Sequence, residues 1–158
     1  MPVLELRTII RAPAARCFDL ARSVDLHVQS TARTGERAVA GVTRGLIGPG
    51  QQVTWRARHF GVWQELTSEI SQYDRPRHFR DSMVRGAFAG FDHDHFFAET
   101  DGVTEMLDRF AFRSPLGLLG RIADALVLTR YLRRFLAERN AEIQRVAESD
   151  EWRALLPD

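Results

Sequence analysis

A chain of 158 residues with a formal charge of +1 fits one domain with a sizeable core, and its interspersed charges, 27% of the residues, give no electrostatic footprint for nucleic acid or anionic lipid. Every basic residue is arginine, which excludes Schiff-base, lysine-nucleophile and Walker-type phosphate chemistry. Cys17 is the single cysteine, so an internal disulfide and a thiolate zinc cluster are excluded as well.

The N-terminus lacks a basic region followed by an apolar run, and no stretch approaches the ~20 apolar residues of a membrane span. A cytoplasmic protein without stable membrane insertion is the expectation. Val3 to Arg11 alternates and is rich in Val, Leu and Ile, which predicts a first strand. Ala12-Pro13 ends it and opens a short helix, Ala14 to Ala21, in which Cys17 beside Phe18 is a small buried hydrophobe. Ser23 is the N-cap of a second helix, Val24 to Ser30, with Leu26 and Val28 inward and His27 facing either a cavity or water.

Glu36 to Ala40 reads as a short strand. Gly41, Gly45, Gly48, Pro49 and Gly50 follow, and with no Lys-Ser/Thr or helical pattern after them they suit a loop at a pocket mouth better than a phosphate cradle. Gln52 to Phe60 is a strand with Val53, Trp55, Ala57 and His59 inward and Thr54, Arg56 and Arg58 outward. Phe60-Gly61 turns into Val62 to Tyr73, whose inward residues are Val62, Gln64, Leu66, Ser68 and Ile70, while Glu65, Thr67 and Glu69 face out towards Arg56 and Arg58. Asp74-Arg75-Pro76 is the next turn.

Arg77 to Phe112 then reads as three antiparallel strands. One face carries Phe79, Asp81, Met83, Arg85, Phe91, His93, His95, Phe97, Thr104, Met106, Asp108, Phe110 and Phe112. The other carries Arg80, Ser82, Asp92, Asp94, Glu105 and Arg109 and is cheaper to solvate. Side chains alternate with period two, so the aromatic-rich set is buried, and its titratable groups with it. Asp101-Gly102 is a two-residue turn signal; pairing Thr100 with Val103 puts His95 opposite Asp108 and His93 opposite Phe110. Pairing Arg85 with Phe91 across the Gly86 to Gly90 turn puts Asp81 opposite His95, giving a row Asp81, His95, Asp108 with His93 one step along. A slip of two would exchange partners without changing faces.

After Phe112 the period becomes helical. Ser114-Pro115 offers a cap, and Leu119, Ile122, Ala123, Leu126, Val127, Tyr131, Phe135, Leu136, Ile143 and Val146 predict one long amphipathic helix to about Ala147. Gly117 and Gly120 loosen its first turns, and Arg121, Arg130, Arg133, Arg134 and Arg139 take its wetter side. Residues 1–148 thus form one domain and 149–158 a tail, whose Trp152, Leu155 and Leu156 suit docking on the domain or on the second subunit of a homodimer. This order defines an α+β helix-grip architecture: a curved antiparallel sheet of about seven strands wrapped around a long C-terminal helix, with two short helices after strand 1.

On these elements the chain resembles the SRPBCC superfamily, the START-related helix-grip proteins that include bacterial polyketide cyclases and dehydrases, plant pathogenesis-related proteins and coenzyme-Q-binding START proteins. The resemblance rests on Ile10-Arg11-Ala12-Pro13 leading into Cys17-Phe18, the glycine-rich loop before Val53-Thr54-Trp55, Asp74-Arg75-Pro76 before Phe79, and Phe91-Asp92-His93-Asp94-His95-Phe96. It implies a cavity between sheet and helix that binds a small hydrophobic or aromatic molecule, lipid- or polyketide-like. It carries over no catalytic residue, cofactor or nucleic-acid partner, because the fold hosts many activities.

Four readings of the polar residues stay open. Asp81, His93, His95 and Asp108 form a purely structural network, or they anchor a ligand whose walls are Trp55, His59, Leu66, Phe79, Met83, Phe97, Met106, Phe110 and Tyr131. Alternatively, His95 is an acid-base group oriented by Asp108 or Asp81, with His93 donating to substrate. Last, His93 and His95, side by side on one strand at about 6 to 7 Å, could hold a metal with a neighbouring carboxylate.

Overall fold

Period-two patterning yields seven strands: β1 (Val3–Ile10), β2 (Arg37–Gly41), β3 (Gln52–His59), β4 (Val62–Asp74), β5 (His78–Arg85), β6 (Gly90–Thr100) and β7 (Val103–Arg113). They form one antiparallel sheet in the order β1-β7-β6-β5-β4-β3-β2. The helices are α1 (Ala14–Ala21), α2 (Val24–Ser30), α3 (Thr129–Ala147) and α4 (Trp152–Leu155), with a short 3-10 turn at Ala32–Thr34. This is a computed structural model, and it describes residues 2–113 and 127–158. The expected cap at Ser114-Pro115 and the helical positions from Gly117 to Leu126 lie outside the described residues.

Local chemistry explains the joints. Pro13 has no side chain with which to cap α1, and Glu99 of β6 does so instead, accepting from the Ala14 N–H at 2.7 Å. Ser23 caps α2 as expected, its hydroxyl accepting from the Leu26 N–H at 3.2 Å. The turn at Asp74-Arg75-Pro76 is tied to α1 by Arg75, whose guanidinium grips Asp19 at 2.6 to 3.2 Å. Both predicted two-residue hairpins have left-handed residues at both central positions: Phe60 (φ 51) with Gly61 (φ 76), and Asp101 (φ 52) with Gly102 (φ 77). Their backbone twist therefore matches that of the strands they join.

The inner face holds two apolar clusters. One gathers α1, α2, the end of α3 and the strands around Phe18, Phe79 and Phe97, and the tail residues Trp152, Leu155 and Leu156 pack against it. The other centres on Leu4, Phe110, Phe112 and Leu136. Cys17 is fully buried, and burial pushes its thiol up to about 11, the behaviour of an inert hydrophobe.

Among the departures from the sequence reading, three stand out. Val62, expected inward, is 58% exposed at the far end of β4. Asp94 does lie on the outer face but is buried, because Arg80 and His78 close over it with contacts of 2.7 to 2.9 Å. The β6–β7 register is as expected, with His95 opposite Asp108, but β5 has slipped by two: Asp81 faces His93 and Phe79 faces His95. The row Asp81, His95, Asp108 is thereby corrected. The cause lies at the turn, where Phe88 leaves the strand line to pack on Phe91 and Phe112 with ring centroids 6.2 and 5.8 Å apart, and regular β5–β6 pairing stops at Ser82 and Asp92.

Two glycines separate strain from crowding. Gly41 (φ +71) and Gly102 (φ +77) share a left-handed backbone, but a Cβ at Gly41 would lie 2.2 Å from the Gln52 carbonyl oxygen, whereas at Gly102 it meets open space. Gly102→Ala should therefore cost about 1 to 2 kcal/mol, and Gly41→Ala about 3 kcal/mol or more. Urea denaturation of both variants checks this; equal losses would contradict the close approach.

Candidate functional site

Between the sheet and α3 lies a cavity of about 330 Å³. Trp55 and Ala57 of β3, Leu66 of β4, Phe79 of β5 and Phe110 of β7 supply the sheet wall, and Leu132 and Phe135 the helix wall. Ile47, from the glycine-rich loop, joins the lining where that loop is stitched to the α1–α2 junction by the Ile47 N–H donating to the Arg22 carbonyl at 3.2 Å. The phosphate-cradle reading finds no support here; the loop closes part of an apolar pocket.

Of the residues expected at the site, Trp55, His59, Leu66, Phe79, Asp81, His93, His95, Phe110 and Tyr131 line the cavity. Met106, Met83, Asp108 and Phe97 do not, Phe97 being buried in the first apolar cluster. Met106 is fully buried in the first apolar cluster. Met83 borders a separate cleft, with Val84, Gly90 and Phe91, where β5 and β6 part. Asp108 sits behind the two imidazoles, wholly buried, and reaches the cavity only through them.

Asp108 is the hub of a dense polar cluster. Its Oδ1 accepts from His93 Nε2 at 2.9 Å, and its Oδ2 from Asn140 Nδ2 at 2.6 Å. His95 Nδ1 approaches the same Oδ1 to 2.8 Å, but out of line for a hydrogen bond. Arg139 completes the set, with Nη1 at 3.6 Å from Asp108 Oδ1 and 3.2 Å from Asn140 Oδ1, and Nη2 donating to the Ala21 carbonyl at 2.9 Å.

Arg139 is the main correction to the sequence reading. Expected on the wet side of the helix, it is 4% exposed, lines the cavity and faces the carboxylate of Asp108. Asn140 was missed for the same reason, since polar residues in a helix read as solvated. A signal existed: Asp108 on a buried strand face required a partner, and the adjacent pair Arg139-Asn140 interrupts the helix's apolar stripe. Glu36 was missed too. It is buried just before β2 and holds His27 Nε2 at 2.9 Å, while the His27 ring lies over Trp55 at 4.2 Å, so His27 faces the cavity.

Electrostatics follow from this packing. Burial, reinforced by neighbouring His93, pushes His95 down to about 3, so its imidazole is neutral at physiological pH. Burial opposes the charge on Asp108, but His93 and His95 outweigh it together and hold the carboxyl well below its usual value. Asp81 is raised by burial, with only a partial counter-effect from nearby Ser68. His59 is lowered by desolvation and hydrogen-bonds through Nδ1 to the Tyr131 hydroxyl.

His93, His95 and Asp108 offer ligand-type atoms within 4.8 Å of one another. The carboxylate oxygen already occupies the space between both imidazole nitrogens, and a guanidinium stands 3.6 Å away. A cation there would have to displace the first and sit beside the second.

No family model and no curated protein matches this chain. Solved structures do match in shape. TTHA0849 from Thermus thermophilus is similar over 92% of this chain and 99% of its own at TM-score 0.71 and 15% identity. A START superfamily protein from Mycobacterium smegmatis covers 92% and 97% at TM-score 0.69 and 9% identity. Major latex-like protein 151 from Panax ginseng covers 94% and 98% at TM-score 0.68 and 13% identity. These likenesses, with the element order above, show that the chain has the helix-grip fold of these structures.

The neutral burial of His95 has a measurable sign. Its folded value lies below the ~6.5 of an unfolded histidine, so on acidification the unfolded chain takes up the proton first. The stability this group contributes is complete above about pH 6.5 and is lost as the pH falls from there towards 3, at up to about 1.4 kcal/mol per pH unit. His95→Gln should flatten the pH dependence of unfolding free energy in that window by about one proton; an unchanged slope in urea titrations would show that His95 is charged in the native state.

Proposed function

We propose that the protein binds a small hydrophobic or aromatic molecule, lipid- or polyketide-like, in the hollow between the sheet and α3, with the ligand's polar end against Asp81 and His93. One observation carries this reading: a cavity of about 330 Å³, walled largely by aromatic and aliphatic side chains with Asp81 and His93 among its polar groups, a size in the range of small-molecule sites. The START-like fold supports it by analogy. Uptake requires no membrane span, and among the described residues no helix is long and apolar enough to cross one.

The neutral fluorescent probe N-phenyl-1-naphthylamine tests the site. Fluorescence titration should give saturable binding near one per chain. Leu66→Trp, which fills the pocket, should weaken it by about tenfold or more, while Val84→Gln, on exposed β5, should leave it unchanged. Absence of saturable binding, or equal binding by both variants, would overturn the proposal.

A second reading, acid-base turnover, is favoured by the His93–Asp108 hydrogen bond of 2.9 Å at the cavity wall. Donation from Nε2 fixes the tautomer and leaves Nδ1 as a base. In this reading the role expected of His95 passes to His93, because His95 is held neutral and wholly buried. Asp108 would orient it and Asp81, bonded to neither histidine, would be the acid. Dehydration or hydrolysis of a ketide-like substrate would then be lost in His93→Gln and kept in Val84→Gln; equal rates refute it.

A further inference from the structure

Most polar groups at the inner end of the cavity have already spent their hydrogen-bonding capacity. Arg139 donates to the Ala21 carbonyl and to Asn140, and its charge is matched by Asp108. His27 is taken by Glu36 and His59 by Tyr131. Asp108 has Asn140 on one oxygen and His93 on the other. His93, having given its Nε2–H to Asp108, keeps an acceptor at Nδ1.

Asp81 is different. It lies on the cavity face of β5, opposite His93, half-buried and with no hydrogen bond to either carboxyl oxygen among the described residues; Oδ1 is packed away beside β4, so the other oxygen is the one that meets the cavity. Ser68 of β4, the neighbour placed to serve it, has an equally orphaned Oγ, so the two are near but not bonded. Among the described residues the only other buried orphan is His95 Nδ1, which lies 2.8 Å from Asp108 Oδ1, behind the cavity wall. Leaving such a group unmade inside a protein is costly, so a carboxyl on a cavity wall with no hydrogen bond of its own marks where a ligand's polar group belongs.

We infer that the ligand of this cavity carries an uncharged hydroxyl, of an alcohol or a phenol, seated between Asp81 and His93. This rests on the ligand-binding reading above and names the chemistry of the anchored group. Three classes can be compared. A carboxylate or phosphate meets no uncommitted cation, since Arg139 is matched by Asp108 and Arg22, the other guanidinium on the wall, by Asp19, and it faces the acids Asp81 and Glu36. An ammonium needs Asp81 ionised and must shed its water among aromatic walls with the Arg139 guanidinium also lining the cavity. A hydroxyl both donates and accepts. It can give its proton to an ionised Asp81 or to His93 Nδ1, and it can accept from Asp81 when that carboxyl is protonated. The burial that raises the Asp81 pKa makes this tolerance useful.

Four probes with one apolar body separate these cases by isothermal titration calorimetry at neutral pH: 2-naphthol, naphthalene, 2-naphthoate and 2-naphthylmethylamine. The wild-type chain should bind 2-naphthol at least about tenfold more tightly than naphthalene. The carboxylate and the amine should bind no better than naphthalene. Asp81→Leu should erase the advantage of the hydroxyl while keeping naphthalene binding, and Asp81→Asn, which still offers an acceptor oxygen, should retain the advantage. Equal binding of naphthol and naphthalene by the wild type overturns the hydroxyl inference and leaves the ligand-binding reading intact. A naphthol preference that survives Asp81→Leu overturns the anchor. If none of the four binds, both the inference and the reading beneath it fall. The wild-type series alone decides the hydroxyl question should Asp81→Leu fail to fold.

Discussion

A single carboxylate sets the terms for the interior. Asp108 is wholly buried on the gripping face of the sheet, where an unpaired charge would cost several kcal/mol. Its partners come from two directions: His93 and His95 from the adjacent strand, and Asn140 and Arg139 from α3. The helix is therefore fixed to the sheet by charge and hydrogen bonds as well as by apolar contact. Removing one partner leaves the charge exposed to the protein interior, whereas an apolar replacement of the whole set would leave the fold feasible.

The position of this cluster also accounts for the hollow. One apolar cluster lies on the Phe79 side of it, where His95 stacks on Phe79 at 4.2 Å, and the other on the Phe110 side, where His93 meets Phe110 edge-on at 5.2 Å. The two clusters meet at a polar seam that aliphatic side chains cannot cover without orphaning it. The space above the seam is left for something that brings its own polar group. The binding proposal and the pKa pattern thus have one origin, the cost of burying Asp108.

How legible this was in the sequence depended on the range of the signal. Period-two alternation gave the faces of β3, β6 and β7, and dipeptides such as Phe60-Gly61 and Asp101-Gly102 gave the hairpins, because both are local. The His95–Asp108 pairing followed from a two-residue turn with no freedom in it. The β5–β6 register did not, because it was decided by where Phe88 finds a pocket, and that pocket belongs to β7. Arg139 and Asn140 were misplaced because helical periodicity sorts residues by polarity, and polarity alone cannot distinguish a solvated arginine from one summoned by a carboxylate 31 residues earlier in the chain. Met83 and Met106 were on the right face but at the wrong height along it, a coordinate that alternation does not contain.

The two-residue slip has an evolutionary side. Lengthening or shortening the Gly86–Ala89 connection by an even number would trade neighbours while keeping both imidazoles inside. A single inserted or deleted residue that shifted β5 would turn Phe79 and Asp81 outward and bring Arg80 and Ser82 to the cavity face, while the Asp101-Gly102 turn keeps His93 and His95 beside Asp108. Natural variation in that loop should accordingly come in pairs, and an odd change will have had to give up the Asp81 carboxyl on the cavity wall.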